Sequence, residues 1–235
     1  MGTWDDLAEW WIAEVQDDPA YDEDVHPILL QLLKGTGGTT IDLGCGEGQG
    51  MRVVGGDVIG TDVSAPLLER ARGTAPVVQA VLPDLSWIKD ASCDRAFSVY
   101  LMDLIVDYRT FLTETARIVK PGGHLVVVIN HPVFTAPGGA PFIDDHSELL
   151  WRWGTYFEPG SSTEPAGESS VEFFHRPLAD IVTVAAQCGW ALEEMIEQGL
   201  SKETIERIPE YVGQEHVPRL AGFKWKRGSQ PTVHS

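Results

Sequence analysis

The residue types that could do chemistry gather first in Ile41-Asp42-Leu43-Gly44-Cys45-Gly46-Glu47-Gly48, where an acid precedes alternating glycines, and in Asp62, twenty positions after Asp42. Glycine lets a backbone turn tightly and approach a ligand closely, and a helix that follows such a turn presents free N–H groups. A carboxylate about twenty residues beyond the turn suits acceptance of both hydroxyls of a ribose. Asp42 has a clear task where the ligand carries a cation, such as an amino group or a sulfonium. A nicotinamide fingerprint would want a third glycine at position 49, which is Gln49, and has no need of that acid. Cys45 lies inside the turn, where a small side chain fits. With Cys93 and Cys188 it makes an odd, widely spaced set without a CxxC, which is neither a disulfide framework nor a zinc site, and no metal is expected. Cys93 and Cys188 read as packed interior thiols.

The elements that must position these residues alternate. Short β-prone runs at 39–43, 58–61, 77–80, 96–100 and 124–129 predict strands, with helices at 65–72 and 108–119 between them. The helix after the glycine loop is short, because Gly55-Gly56 interrupts it, and Lys120-Pro121-Gly122-Gly123 stops the helix at 108–119. Ahead of the strands, Leu7, Trp11 and Val15 with Trp4, Ala8 and Ile12 make a helical stripe that Pro19 ends. A second helix over 24–34 runs into Gly35-Thr36-Gly37-Gly38. The segment 130–174 breaks the rhythm. It is rich in proline and glycine, yet it carries Trp151, Trp153, Tyr156, Phe157, Phe173 and Phe174, so an ordered insert or lid is expected rather than a linker. A helix over 178–188, closing strands over 190–196 and 220–225, and a frayed tail over 227–235 complete the reading. Strand and helix in alternation imply a mostly parallel sheet wrapped by helices, an α/β fold.

The 235 residues carry 17 Lys+Arg against 35 Asp+Glu, a formal charge of −18, with 43% hydrophobic and 22% charged residues. That is a folded globular composition with ample length for a core. No Lys/Arg-rich run supplies the positive footprint that duplex nucleic acid or an anionic membrane surface needs, so neither is an expected partner. MGTWDDLAEWW is acidic where a secretory signal would be basic, and no apolar run approaches a membrane span, so the expected location is the cytoplasm.

IDLGCGEG, the strand end Gly60-Thr61-Asp62-Val63-Ser64, the Asp90-to-Asp94 stretch and Ile118-Val119-Lys120-Pro121-Gly122-Gly123-His124-Leu125 occur in family order, and at these residues the chain resembles the class I S-adenosylmethionine (SAM)-dependent methyltransferases. The resemblance covers roughly residues 39–129. It implies a seven-stranded Rossmann-like sheet with helices on both faces, N-terminal helices and an insert after strand five. One domain would then comprise a helical cap (1–36), a SAM-binding core (37–130), a substrate-pocket insert (131–176), a C-terminal helix and strands (177–226) and the tail. It implies SAM as cofactor, with Gly44, Cys45 and Gly46 along its methionine portion, Asp42 at its amino group and Asp62 on the ribose. Val63, Val81, Leu82 and Tyr100 complete the expected binding set. Relatives often carry an acid after strand three for the adenine amine; here Gln79-Ala80-Val81-Leu82-Pro83-Asp84 leaves the reach of Asp84 open. Trp4, Trp10 and Trp11 at helical spacing read as packing, with a place over the cofactor as the functional alternative, and Tyr21 likewise.

The Asn130-to-Pro137 stretch, Tyr156 and His175-Arg176 resemble more loosely a subgroup of small-molecule methyltransferases. That implies an acceptor pocket built by the insert, with Trp151, Trp153 and Phe157 as flat apolar walls and Arg176 orienting polar groups. The same aromatics could instead pin a long loop to the body. Methyl transfer is an in-line displacement in which alignment and exclusion of water matter most, and an amine or phenol must also lose a proton, which a histidine can take near neutral pH. His131, at the carboxyl edge after strand five, and His175 are the expected proton handlers, with Tyr156 assisting; His26 and His124 look structural. The expected reaction is N- or O-methylation of a small, specialised metabolite. A protein or peptide acceptor and a non-catalytic SAM-binding module are the alternatives, and a homodimer is the assembly carried alongside.

Overall fold

The structure, a computed structural model, describes residues 2–16, 18–146, 148–208 and 211–228. Seven strands form one sheet: β1 (Thr40–Leu43), β2 (Val58–Asp62), β3 (Val77–Gln79), β4 (Cys93–Val99), β5 (Val119–Asn130), β10 (Trp190–Gln198) and β11 (Leu220–Arg227), in the order β10-β11-β5-β4-β1-β2-β3. Strands β1 to β5 pair in parallel, so their carboxyl ends share one edge. Only β11 runs antiparallel to its neighbours, which sets its first residue, Leu220, opposite Asn130, the last of β5. The expected α/β class and seven-stranded sheet are borne out.

Both faces of the sheet are covered, which is why the central strands read as continuous apolar runs instead of alternating with polar residues. Along β5, Leu125, Val127 and Ile129 pack with α5 (Tyr108–Ile118) and α7 (Leu178–Gln187), whereas Val126 and Val128 pack with α2 (His26–Leu33) on the other face. Each such side chain contributes about 1.5–3 kcal/mol of burial. Helix α5 starts where Asp107 accepts from Thr110 N at 2.9 Å, satisfying an orphan donor of the first turn. Strand β5 begins at Val119 and not near His124, because Val119 already pairs with Cys93; the register then shifts, with Gly122 at φ +79°, before regular pairing resumes at Arg95 and His124.

On the sheet's α2 side lie α1 (Trp4–Gln16), a π-helical turn (Tyr21–Val25) leading into α2, α3 (Gln49–Val54) and α4 (Ala65–Ala71). The helix expected from Asp24 therefore has an irregular first turn. Asp24 is buried there and accepts from Gln198 Nε2, Ser201 N and Thr204 Oγ1, tying that turn to α8 (Lys202–Arg207), an element with no clear signal in the sequence. The segment after β5 forms α6 (Pro132–Thr135) and two antiparallel pairs, β6 (Gly139–Ile143) with β7 (Leu149–Trp153) and β8 (Gly160–Ala166) with β9 (Ser169–His175). Of the expected tail, 229–235 lie outside the described residues. No helix among those described is long and apolar enough to cross a membrane.

Candidate functional site

Beyond β1 the chain folds back over β2. Gly44 N and Cys45 N both donate to Thr61 O, at 2.8 and 2.9 Å, and Gly44 and Gly46 adopt φ +73° and +53°, which L side chains rarely tolerate. Cys45 tucks beneath the loop: a Cβ on Gly60 would come 2.7 Å from its Sγ, so the glycine at 60 makes room for the thiol. Asp62 braces the turn from the neighbouring strand, its Oδ2 accepting from Gly46 N and its Oδ1 from Ser64 N, each at 2.9 Å. An ionised carboxylate has about four acceptor positions. These inward bonds leave acceptor capacity on the carboxylate for hydroxyl donors.

Asp42 is different. It is 2% exposed, and its carboxylate makes no hydrogen bond among the described residues, yet it lines a small cavity of about 50 Å³ with Gly44, Gly46, Tyr21 and Trp11. Burial first, and then the Asp62 charge, push its carboxyl well above the ordinary range. Asp62 is raised by burial too, with the N–H groups of Ser64, Gly46 and Val63 opposing. The Cys45 thiol is pushed far up by the same burial and by both carboxylates, which rules out a ready thiolate. An unpartnered buried carboxylate is costly unless a cation meets it.

The small cavity continues past Trp11, Gly44, Gly46 and Val99 into one of about 270 Å³, walled by Asp62, Val63, Val81 and Leu82 on one side and by Tyr100, Leu101, Leu104 and Ile105 on another. Helix α1 roofs it with Trp4 and Trp11, whose rings meet edge to face at 6.1 Å. Bonds from Ala65 N to Asp5 Oδ1 and from Gln49 Nε2 to Val15 O hold that roof in place. The nine expected cofactor residues, Asp42, Gly44, Cys45, Gly46, Asp62, Val63, Val81, Leu82 and Tyr100, thus all border one cleft at the carboxyl edge. Trp4, Trp11 and Tyr21 border it as well, and so does His26, for which the sequence suggested only a structural place. Asp84 does not; it caps Ser86 N on the adjoining surface. The donor set fits a ligand with a cation at the glycine loop, a diol at Asp62 and an apolar flat body between Leu101, Leu82 and the indoles.

The expected proton handlers and acceptor walls are not brought to this cleft. His131 accepts from Val133 N at Nδ1 (3.1 Å), and its Nε2 meets Glu197 Oε1 at 2.8 Å, so the ring caps α6 and ties it to β10. His175 meets Thr135 Oγ1 at Nδ1 and donates from Nε2 to the Tyr156 carbonyl at 2.8 Å. Burial lowers the pKa of both rings. The Tyr156 hydroxyl accepts from Leu178 N. Arg176 is buried and donates to the carbonyls of Met102, Ile105 and Val106, pinning the turn whose Leu104 and Ile105 wall the cleft. Trp151 packs on Phe134 at 5.6 Å, while Trp153 and Phe157 are 62% and 86% exposed. Among the described residues no group of three or more His, Cys, Asp or Glu is arranged to hold a metal.

A family model described as a methyltransferase domain matches residues 41–127. The chain is 32% identical over 133 residues to a trans-aconitate 2-methyltransferase of Azoarcus sp. (strain BH72), covering 54% of this chain and 51% of that protein. It is 28% identical to the O-methyltransferase cnsE of Penicillium expansum, over 68% of this chain and 58% of that one. The chain thus spans about half the length of the curated relatives it matches. A solved SAM-dependent methyltransferase from Mesorhizobium loti superposes with a TM-score of 0.74 at 25% identity, covering 86% of this chain and 96% of the other. A structure from Listeria monocytogenes shares the fold, with a TM-score of 0.77 at 21% identity over 90% and 99% of the two chains.

Proposed function

We propose that the chain is a class I SAM-dependent methyltransferase and that it transfers a methyl group to nitrogen or oxygen of a small-molecule acceptor. The observation that carries the reading is the pair of raised carboxylates on one cleft: Asp42, buried and without a partner, and Asp62, braced so that its outer lone pairs stay free. SAM, when bound, supplies a methyl group already activated on a sulfonium. In this reading Asp42 meets the amino group of the methionine portion and Asp62 accepts from the ribose hydroxyls. The Gly44-Cys45-Gly46 backbone lies along the methionine portion, and Val63, Val81 and Leu82 surround the base.

The protein's own contribution is then alignment and dryness, through a roof of Trp4 and Trp11 and a floor of Leu101, Leu104 and Ile105. Proton removal by His175 or His131 with Tyr156 assisting is the expectation that the geometry supports least, since both nitrogens of each ring are already bonded. His131 and Tyr156 act instead as ties between the insert and the body, and His175 holds two parts of the insert together. A small acceptor is supported by the roofed cleft and by a relative named for a small-molecule acceptor, trans-aconitate. A formal charge of −18 disfavours nucleic acid.

The test is incubation with methyl-labelled SAM and a panel of small amines, phenols and acids, following S-adenosylhomocysteine. One equivalent formed per labelled product is the expected result. Tight SAM binding with no turnover on any acceptor, peptides included, would make the chain a binding module.

A further inference from the structure

We infer that the acceptor carries a carboxylate, held by the guanidinium of Arg219 with the phenols of Tyr100 and Tyr21 beside the cofactor cleft; this deepens the methyltransferase reading and rests on it. Because β11 alone runs antiparallel, the residue just before it arrives at the same edge where β1, β4 and β5 end. That residue is Arg219. Its backbone is fixed there, its N–H donating to Gln198 O and its carbonyl accepting from His131 N, each at 2.8 Å.

The side chain stands out against every other arginine of the chain. The ten others each donate to an oxygen: Arg117 to Glu114 and Asp90, Arg176 to three carbonyls, Arg207 to Glu23, Arg52 to Glu47, and the rest similarly. Arg219 has no acceptor among the described residues. Its guanidinium lies 3.5 Å from the centre of the Phe134 ring and 5.4 Å from that of Tyr211, so its faces are covered while its in-plane N–H groups are unused. A guanidinium never gives up its charge in a protein, and a largely desolvated charge without a partner is costly. The planar fork matches a carboxylate edge on.

Two more unused donors lie at this edge. Tyr100 and Tyr21 meet edge to face at 5.7 Å, neither hydroxyl makes a hydrogen bond among the described residues, and Tyr100 is near enough to Arg219 for the guanidinium charge to act on its phenol. Tyr100 lines the larger cavity and Tyr21 the smaller, so the pair stands where the two join. Tyr100 holds φ +54°, a conformation costly for an aromatic residue, fixed by its N–H to Val128 O at 2.9 Å. Among the described residues Asp18 is the acid whose charge acts on this guanidinium, and its Oδ1 caps Ala20 N. In a molecule of charge −18, an anionic acceptor needs such a local cation.

The experiment uses the full chain saturated with S-adenosylhomocysteine and titrates it with small mono- and dicarboxylic acids, each paired with its primary carboxamide. Turnover of the same pairs with SAM is followed in parallel. Acids should bind and their amides should not. Arg219→Gln should weaken acid binding and raise KM on the order of tenfold to a hundredfold. Arg219→Lys should recover part of that, Tyr100→Phe should cost less, and the SAM Kd should stay put in both Arg219 variants. Acid binding unchanged in Arg219→Gln, or a wild type that prefers amides or amines or binds no acid, would overturn the assignment. A wild type that fails to bind SAM would instead bring down the methyltransferase reading, and this one with it.

Discussion

The glycine-loop half of the carboxyl edge and the insert after β5 both bury polar groups, but they partner them in opposite ways. Around the loop, among the described residues, Asp42 has no bond, Asp62 spends its inner lone pairs, and Tyr100 and Tyr21 keep unused hydroxyls. In the insert, both ring nitrogens of His131 and of His175 are bonded, and Arg176 donates to three carbonyls. A buried group that the chain satisfies is holding the fold together, whereas one left unsatisfied at a cleft is waiting for a ligand. By that measure the first half is the one proposed to bind, and the second half ties the fold together.

The contrast can be broken at either end. Asp62→Ala should have the largest effect, weakening SAM binding by about 1–3 kcal/mol, because it strips the partner from buried hydroxyls and from Gly46 N; an unchanged affinity by calorimetry would remove the ribose assignment. SAM affinity should also fall as pH drops through the raised pKa of Asp42. The ligand-free protein then holds a proton that the ligand's ammonium must expel, and Asp42→Asn should flatten that dependence while weakening binding at neutral pH.

On the insert side, His175→Ala should lower the melting temperature by roughly 2–4 °C per kcal/mol of lost bonding, leaving SAM affinity in place. Loss of turnover without loss of stability would return that ring to a chemical role. Asp103, beneath the cleft wall, gives a smaller effect. Burial pushes its carboxyl up to about 7 against the pull of Arg176. Between the ordinary carboxylate range and about 7 the folded state keeps a proton that the unfolded state releases, so stability should drop as pH rises through that window. Asp103→Asn should therefore match wild type at pH 4 and melt a few degrees higher at pH 8. Phe157→Ser, at a fully exposed ring, should move stability by no more than about 0.5 kcal/mol; a larger change would mean that this ring is covered in solution.

What was legible in the sequence was what is local. The glycine loop, the Asp62 spacing and the alternation of strand and helix lie within one βαβ stretch, so residue type and spacing carried them. The insert was not legible as hairpins: β8 reads Gly-Ser-Ser-Thr-Glu-Pro-Ala, with no apolar alternation, and is held by pairing with β9. His131 looked chemical because its partner, Glu197, is distant in the chain and arrives only through β10. Arg219 was silent for the same reason, since nothing local announces that an antiparallel return will bring it to the edge where β4 ends.

A SAM site in the Asp42–Asp62 cleft is checked by calorimetric titration with SAM, S-adenosylhomocysteine and NADH. Micromolar binding of the first two and none of NADH is the expected result. Binding of NADH alone, or of none of the three, would contradict it.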